Sequence, residues 1–290
     1  MMKRRKIWAG LSTAVLVATP AVPQAAALQA HPMGIESKAD GDLLHLAQHK
    51  GHGGEAAKAK PSASTGGEGD EGGAGAAELE PSLHLYRGIG MIRGHLLVGG
   101  ELIEAGRWAD ALPHFLHPEE EIYASLRNDL KAFNIAPFQV ALKSLSQTVK
   151  AKNKEAYARA RAALDERLAA AETAVRAKET NGTYFTLETI LEVLQQAADE
   201  YGEAFAKGRI VNVVEYQDAR GFVMEADRLA GTVMNEATAK DADAAKALRA
   251  SLDELKATFP TVNPPPQAVK DPGQFLSSVA RFELQLGNLR

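Results

Sequence analysis

The chain has 290 residues, with 33 Lys and Arg against 37 Asp and Glu, a formal net charge of −4 and no cysteine. The absence of cysteine excludes disulfides, thiolate metal sites, iron–sulfur clusters, CxxC haem attachment and a cysteine nucleophile. The weak negative charge offers no electrostatic footprint for nucleic acid, while a hydrophobic content of 45% suffices to bury a core.

The chain opens with a basic cluster, Lys3, Arg4, Arg5 and Lys6, followed by an apolar run from Ile7 to Ala18 that Pro20 and Pro23 cut short. Ala25, Ala26 and Ala27 supply small residues for a peptidase. This pattern predicts a signal peptide over 1–27, cleaved near Ala27, and hence a periplasmic, soluble mature protein without a lasting membrane anchor. Arg4-Arg5-Lys6-Ile7-Trp8 also fits a loose twin-arginine pattern, which leaves the export route open. Residues 28–80 are expected to be a disordered His/Gly/Ala-rich tail and linker. From Gly51 to Ser82 there is too little apolar surface to offset the entropy of ordering. The tail carries His31, His45, His49 and His52, a set suited to weak, mobile metal capture.

Residues 81–290 are predicted to form one all-α domain, an antiparallel helical bundle, divisible into 81–135 and 136–290. Ser82 is the expected N-cap of a first helix whose apolar stripe is Leu85, Ile89, Ile92, Leu96 and Ile103, and Gly106 ends it. A shorter helix covers Trp108 to Phe115. Pro118 opens the next, which places Glu119, Glu120 and Glu121 in a first turn where the helix dipole favours acids. Pro137 opens another, with Phe138, Leu142, Leu145 and Val149 on one face. Asn153 to Arg176 is Ala-rich and helical, with Tyr157, Leu164, Leu168 and Val175 inward. Asn181-Gly182 is a turn, Thr186 is the expected cap of a helix to about Ala206, and Gly208 breaks it. Asn212 caps the following helix, Asp241 the one after that, and the last helix runs from Gln274 to Leu286. No alternating run is long enough to claim a sheet.

Nucleophile elbows, Walker loops, GxGxxG and HExxH are all absent, so the chemistry available is that of histidine, methionine and carboxylate. His84, Met91 and His95 fall on one helical face, since seven residues turn the helix to within about 20° of its starting direction. His114-x-x-His117, with Glu120 and Glu121 just beyond, is an i, i+3 imidazole pair with carboxylates, a donor set for zinc, copper or iron. The break expected at His117-Pro118 would put this pair at a helix end facing a cleft. A third group of acids, Asp199, Glu200, Glu203, Glu215 and Asp218, flanks Gly208, where two helices should form a hairpin. Neither a haem nor a di-iron ligand set is complete. The candidate metal ligands are therefore His95, His114, His117, Glu120 and Glu121, then His84 and Met91. Iron or copper is the favoured ion, and a membrane permease or another periplasmic protein the expected partner. A periplasmic scaffold or interaction module without metal is the alternative.

The segment from Ala198 through Tyr201, Gly208, Asn212, Glu215 and Tyr216 to Phe222 resembles the helical periplasmic domain associated with bacterial high-affinity iron permeases. In that family a tyrosine, a glycine and a Glu-Tyr pair join two helices, and the matching positions here are Tyr201, Gly208, Glu215 and Tyr216. The likeness covers about 190–230 and extends more loosely to the last helix. The Arg-Glu-Gly-Leu-Glu motif of the permease's membrane helices is absent. The resemblance therefore implies a soluble periplasmic partner in iron or other metal handling, rather than transport itself.

Overall fold

The computed structural model describes residues 79–290, so the expected export signal (1–27) and the histidines of the tail lie outside the described residues. What is described is an all-α bundle. Its helices are α1 (Pro81–Glu104), α2 (Trp108–Ala111), α3 (Pro113–His117), α4 (Tyr123–Ala132), α5 (Gln139–Lys150), α6 (Lys154–Arg176), α7 (Gly182–Glu203), α8 (Val213–Lys240), α9 (Ala242–Lys256) and α10 (Pro272–Leu286). Among the described residues no helix is long and apolar enough to cross a membrane.

Asparagine and aspartate side chains start most of the second half. Asn153 accepts from the Ala156 N–H, Asn212 from Val214 and Asp241 from Ala244, each satisfying a backbone donor that the first helical turn leaves free. Several starts differ from expectation, α5 among them, which begins at Gln139 and not at Pro137. α1 begins at Pro81, so Ser82 lies inside the helix and caps nothing. α7 begins at Gly182 with Asn181 as its cap, one turn before Thr186, whose hydroxyl instead donates back to the Gly182 carbonyl. Asp271 and Gln274 form a reciprocal capping box, and so α10 starts at Pro272.

Pro113 and Pro118 reshape the segment after α1. Neither can donate an N–H, so the expected helix from Trp108 to Phe115 divides at Pro113. Pro118 does open a new element, but a π-helical one rather than a separate α-helix. The chain continues through a π-helical turn, Pro118–Ile122, in which the Tyr123 N–H reaches the Pro118 carbonyl, and then runs straight into α4. Glu119, Glu120 and Glu121 do occupy the first turn of that element, but α3 runs into it without a break, so its start is not a free helix end.

Gly208 also differs from expectation. α7 ends at Glu203, and β1 (Phe205–Ala206) pairs antiparallel with β2 (Arg209–Ile210) across a two-residue turn. Lys207 and Gly208 both have positive φ, 55° and 77°, the conformation of a type I′ hairpin turn. Gly208 thus serves a hairpin, not a helix C-terminus.

α7 packs on α8, α8 on α9, α9 on α10, and α10 back on α7, closing a four-helix bundle. α1 is buried on nearly every side and lies against both α7 and α8, with α4 and α6 on its other flanks. Its closest approach is to α8. A Cβ at Gly94 would fall 2.6 Å from the Phe222 ring, and one at Gly221 would run into the Gly94 carbonyl oxygen. Two backbones in direct contact bring residues one and three positions away, His95 and Asp218, within reach of each other.

Replacing Gly221 with Ala should therefore cost about 1–3 kcal/mol in urea unfolding, the usual penalty for forcing atoms into a packed contact. Gly231→Ala, on the exposed side of the same helix with nothing within 4 Å, should instead add about 0.5–1 kcal/mol.

Glu225 is buried beside Arg228, and burial pushes its carboxyl up to about 7 despite the guanidinium's hydrogen bonds at 2.6 and 2.8 Å. Its folded pKa exceeds its unfolded one. The stability it contributes is therefore present below about 4.5 and is lost as pH rises through about 7. Urea titrations of wild type and Glu225→Gln should show wild type losing about 3 kcal/mol relative to the variant between these limits.

Candidate metal centre

α1, α3 and α8 each supply a buried polar group to one point of the bundle. His95 comes from α1, His114 and His117 from α3, and Asp218 from α8. The rings of His95 and His117 lie 5.4 Å apart, those of His95 and His114 6.4 Å, and those of His114 and His117 6.5 Å. The side chains of His95, His114 and Asp218 are fully buried, and that of His117 is 8% exposed. Gly99 makes room for this arrangement, because a Cβ there would meet the Phe115 ring and the His114 Cβ. Phe222 closes one wall, edge-on to His95 with ring centres 5.0 Å apart.

Asp218 is the hub. Its Oδ1 accepts from His95 Nδ1 at 2.7 Å and from His114 Nδ1 at 2.6 Å. Its Oδ2 faces His117 Nδ1 at 3.4 Å, a longer contact. Burial alone would raise this carboxyl, but the charges of His95 and His114, with the hydrogen bonds of His114 and His117, hold it well below the usual range. The same balance acts in reverse on His117. Burial opposes its charged form, and Asp218 and the Glu121 charge outweigh burial to raise its pKa.

His114 is held at both nitrogens. Its Nε2 faces Gln217 Oε1 at 2.9 Å, and Gln217 is itself oriented by donating from Nε2 to the Val262 carbonyl at 3.1 Å. An imidazole with an acceptor on each side donates from both only as the imidazolium. With Nε2 engaged by Gln217, the nitrogen that a cation can take is Nδ1, beside Asp218 Oδ1 and His95 Nδ1. One ligand atom from each of His95, His114 and Asp218 lies within 4.8 Å of the others, close enough to share an ion.

The remaining candidates are placed elsewhere or at the rim. Glu121 is half-buried and acts electrostatically on His117, whereas Glu120 is exposed to solvent. His84 is about 16 Å down α1 from His95, and its Nδ1 pairs with Asp129 of α4 at 2.6 Å. Met91 is fully buried in the apolar core one turn before His95. The acids flanking Gly208 do not gather. Asp199 and Glu203 are exposed, and Glu200 accepts from Gln196, which in turn accepts from Arg87.

Sequence reasoning set Asp218 among those hairpin acids and passed over Gln217. The available signal was positional. Asp218 lies on the stripe of α8 that also carries Phe222, Leu229 and Val233, all buried, and an acid there must have partners.

The bundle thus encloses one carboxylate among three imidazoles, all contributed by facing helices. Residues 176–289 match the family described as the iron permease-associated 4-helix bundle domain. They span α7 to α10, the four helices that close on one another, and include the segment whose residues resemble that family. Neither a curated protein nor a solved structure matches the chain. The family's signature positions are structural here. Tyr201 and Tyr216 are buried, and their hydroxyls donate to the carbonyls of Lys270 and Thr261, pinning the connection between α9 and α10.

Asp218→Asn should destabilise the protein by about 3 kcal/mol at pH 7, since it removes the charge the buried imidazoles answer. The wild-type carboxyl is depressed when folded. Its contribution is therefore present above the usual aspartate pKa and fades as pH falls below it, so the difference between the two proteins should shrink below pH 3.8 in urea titrations.

Proposed function

We propose that this protein binds a transition-metal ion, iron in the first place, and hands it on as an exported accessory to metal uptake. One observation carries the reading: two imidazole nitrogens converge on a single buried oxygen of Asp218, with a third imidazole beside the carboxylate's other oxygen. Two histidines and one carboxylate are the ligand set of many mononuclear iron(II) sites, and His117 and Glu121 stand at the rim to complete it or to admit the ion. Copper(II) accepts the same nitrogen and oxygen donors and ranks second. The match of 176–289 to an iron permease-associated domain supports iron and suggests a permease as the partner. The signal pattern of residues 1–27 supports the periplasm as the place of action.

The resident residues provide the means of capture. Asp218 supplies the buried negative charge, Gln217 presents His114 through Nδ1, and Phe222 keeps water from the inner side.

A second reading, as an interaction module, rests on a groove of about 470 Å³ lined by Tyr123, Leu130, Ile135, Pro137 and Val140, the last 82% exposed. Metal analysis of protein purified from the periplasm, wild type beside His114→Ala/His117→Ala, separates the two. Wild type should carry stoichiometric metal and the double variant should lose it. Equal metal in both would discard the site. Gln217→Leu should weaken metal affinity about 10- to 100-fold, as loss of a ligand's orienting partner does.

A further inference from the structure

A second polar centre lies between α1, α6 and α8, about 13 Å along α1 from His95. A cavity of about 390 Å³ opens there, lined by Tyr86, Glu172, Arg176, Arg228 and Leu229 among others. Glu172 Oε1 accepts from Arg93 Nε at 2.5 Å and from Arg228 at 2.8 Å, so its charge is already answered. Arg228 also holds Glu225. Arg93 is answered further by Asp165 at 3.6 Å, and in the cavity lining itself two guanidinium groups, those of Arg176 and Arg228, face one carboxylate, Glu172. The unmatched guanidinium is that of Arg176, which makes no hydrogen bond or ion pair among the described residues and stands at the cavity wall. Beside it is Tyr86, 3% exposed, whose hydroxyl makes no hydrogen bond to any described residue. Glu172, Arg176 and Arg228 all act electrostatically on that hydroxyl, so these groups lie together at the cavity wall. The rest of the lining is Thr173, Ala177, Gly182, Leu229, Thr232 and the Tyr86 ring, and both threonine hydroxyls are already spent on helix carbonyls.

We propose that this cavity binds a small organic carboxylate. One carboxylate would sit between the free Arg176 guanidinium and the Tyr86 hydroxyl, both donors, while its carbon chain lies on Leu229 and the Tyr86 ring. The apolar wall selects an organic acid over an inorganic anion, and the excess of guanidinium over carboxylate excludes a cation. A volume near 390 Å³ is within the range of small-molecule sites.

The test is calorimetric titration of the metal-free full-length chain with succinate, citrate and inorganic phosphate. At least one of the two carboxylates should bind saturably and phosphate should not. Arg176→Met, at a half-buried helix position that leaves the core intact, should weaken binding about tenfold or more, and Tyr86→Phe several-fold. Binding in the His114→Ala/His117→Ala background should match wild type, which separates this cavity from capture through a metal ion. No saturable binding of either acid, equal binding of phosphate, unchanged affinity in Arg176→Met, or loss of binding in the histidine variant would each overturn the proposal.

Discussion

The charge of Asp218 is the constraint around which the bundle is arranged. A carboxylate removed entirely from water is tolerated only where donors surround it, and three imidazoles from two other helices meet that demand. The demand fixes relative positions. α1 must present His95, α3 must present His114 and His117, and α8 must present Asp218, all at the same depth. What satisfies the buried charge in the protein alone is also an ordered set of nitrogen and oxygen donors.

Glycine makes the convergence possible. The contact between Gly94 and Gly221 removes the side chains that would hold α1 and α8 apart, and Gly99 does the same for α3. The two prolines then direct the chain past the cluster. Pro113 divides the short helices, and Pro118 turns the next segment into a π-helical step that carries Glu121 near His117. Such steps interrupt the regular hydrogen-bond ladder and recur at functional sites.

The iron permease-associated segment contributes both frame and chemistry. Tyr201 and Tyr216 clamp the irregular connection between α9 and α10, and Phe259 and Phe275 pack around the same tyrosine rings. One residue beyond Tyr216, Gln217 holds the same connection through the Val262 carbonyl while orienting His114. The side of α8 that secures the loop therefore also sets the geometry of the imidazole cluster. The helices before that segment, α1 and α3, bring the histidines to it.

Helix positions, most caps and the inward stripes were legible in the sequence, because they depend on neighbours within a turn or two: Asn153, Asn212 and Asp241 cap as their chemistry dictates. The grouping of His95 with His114 and His117 followed from residue type and proximity in the chain. The sequence could not say that the carboxylate completing the group lies 104 residues beyond His114. Nor could it say that His84, on the same helix as His95, turns to Asp129 instead. Those outcomes depend on which helices touch and at what height, and a pair of glycines in contact sets both. Local propensity determined the helices of this protein. Only packing around one buried charge decided which of their polar side chains meet.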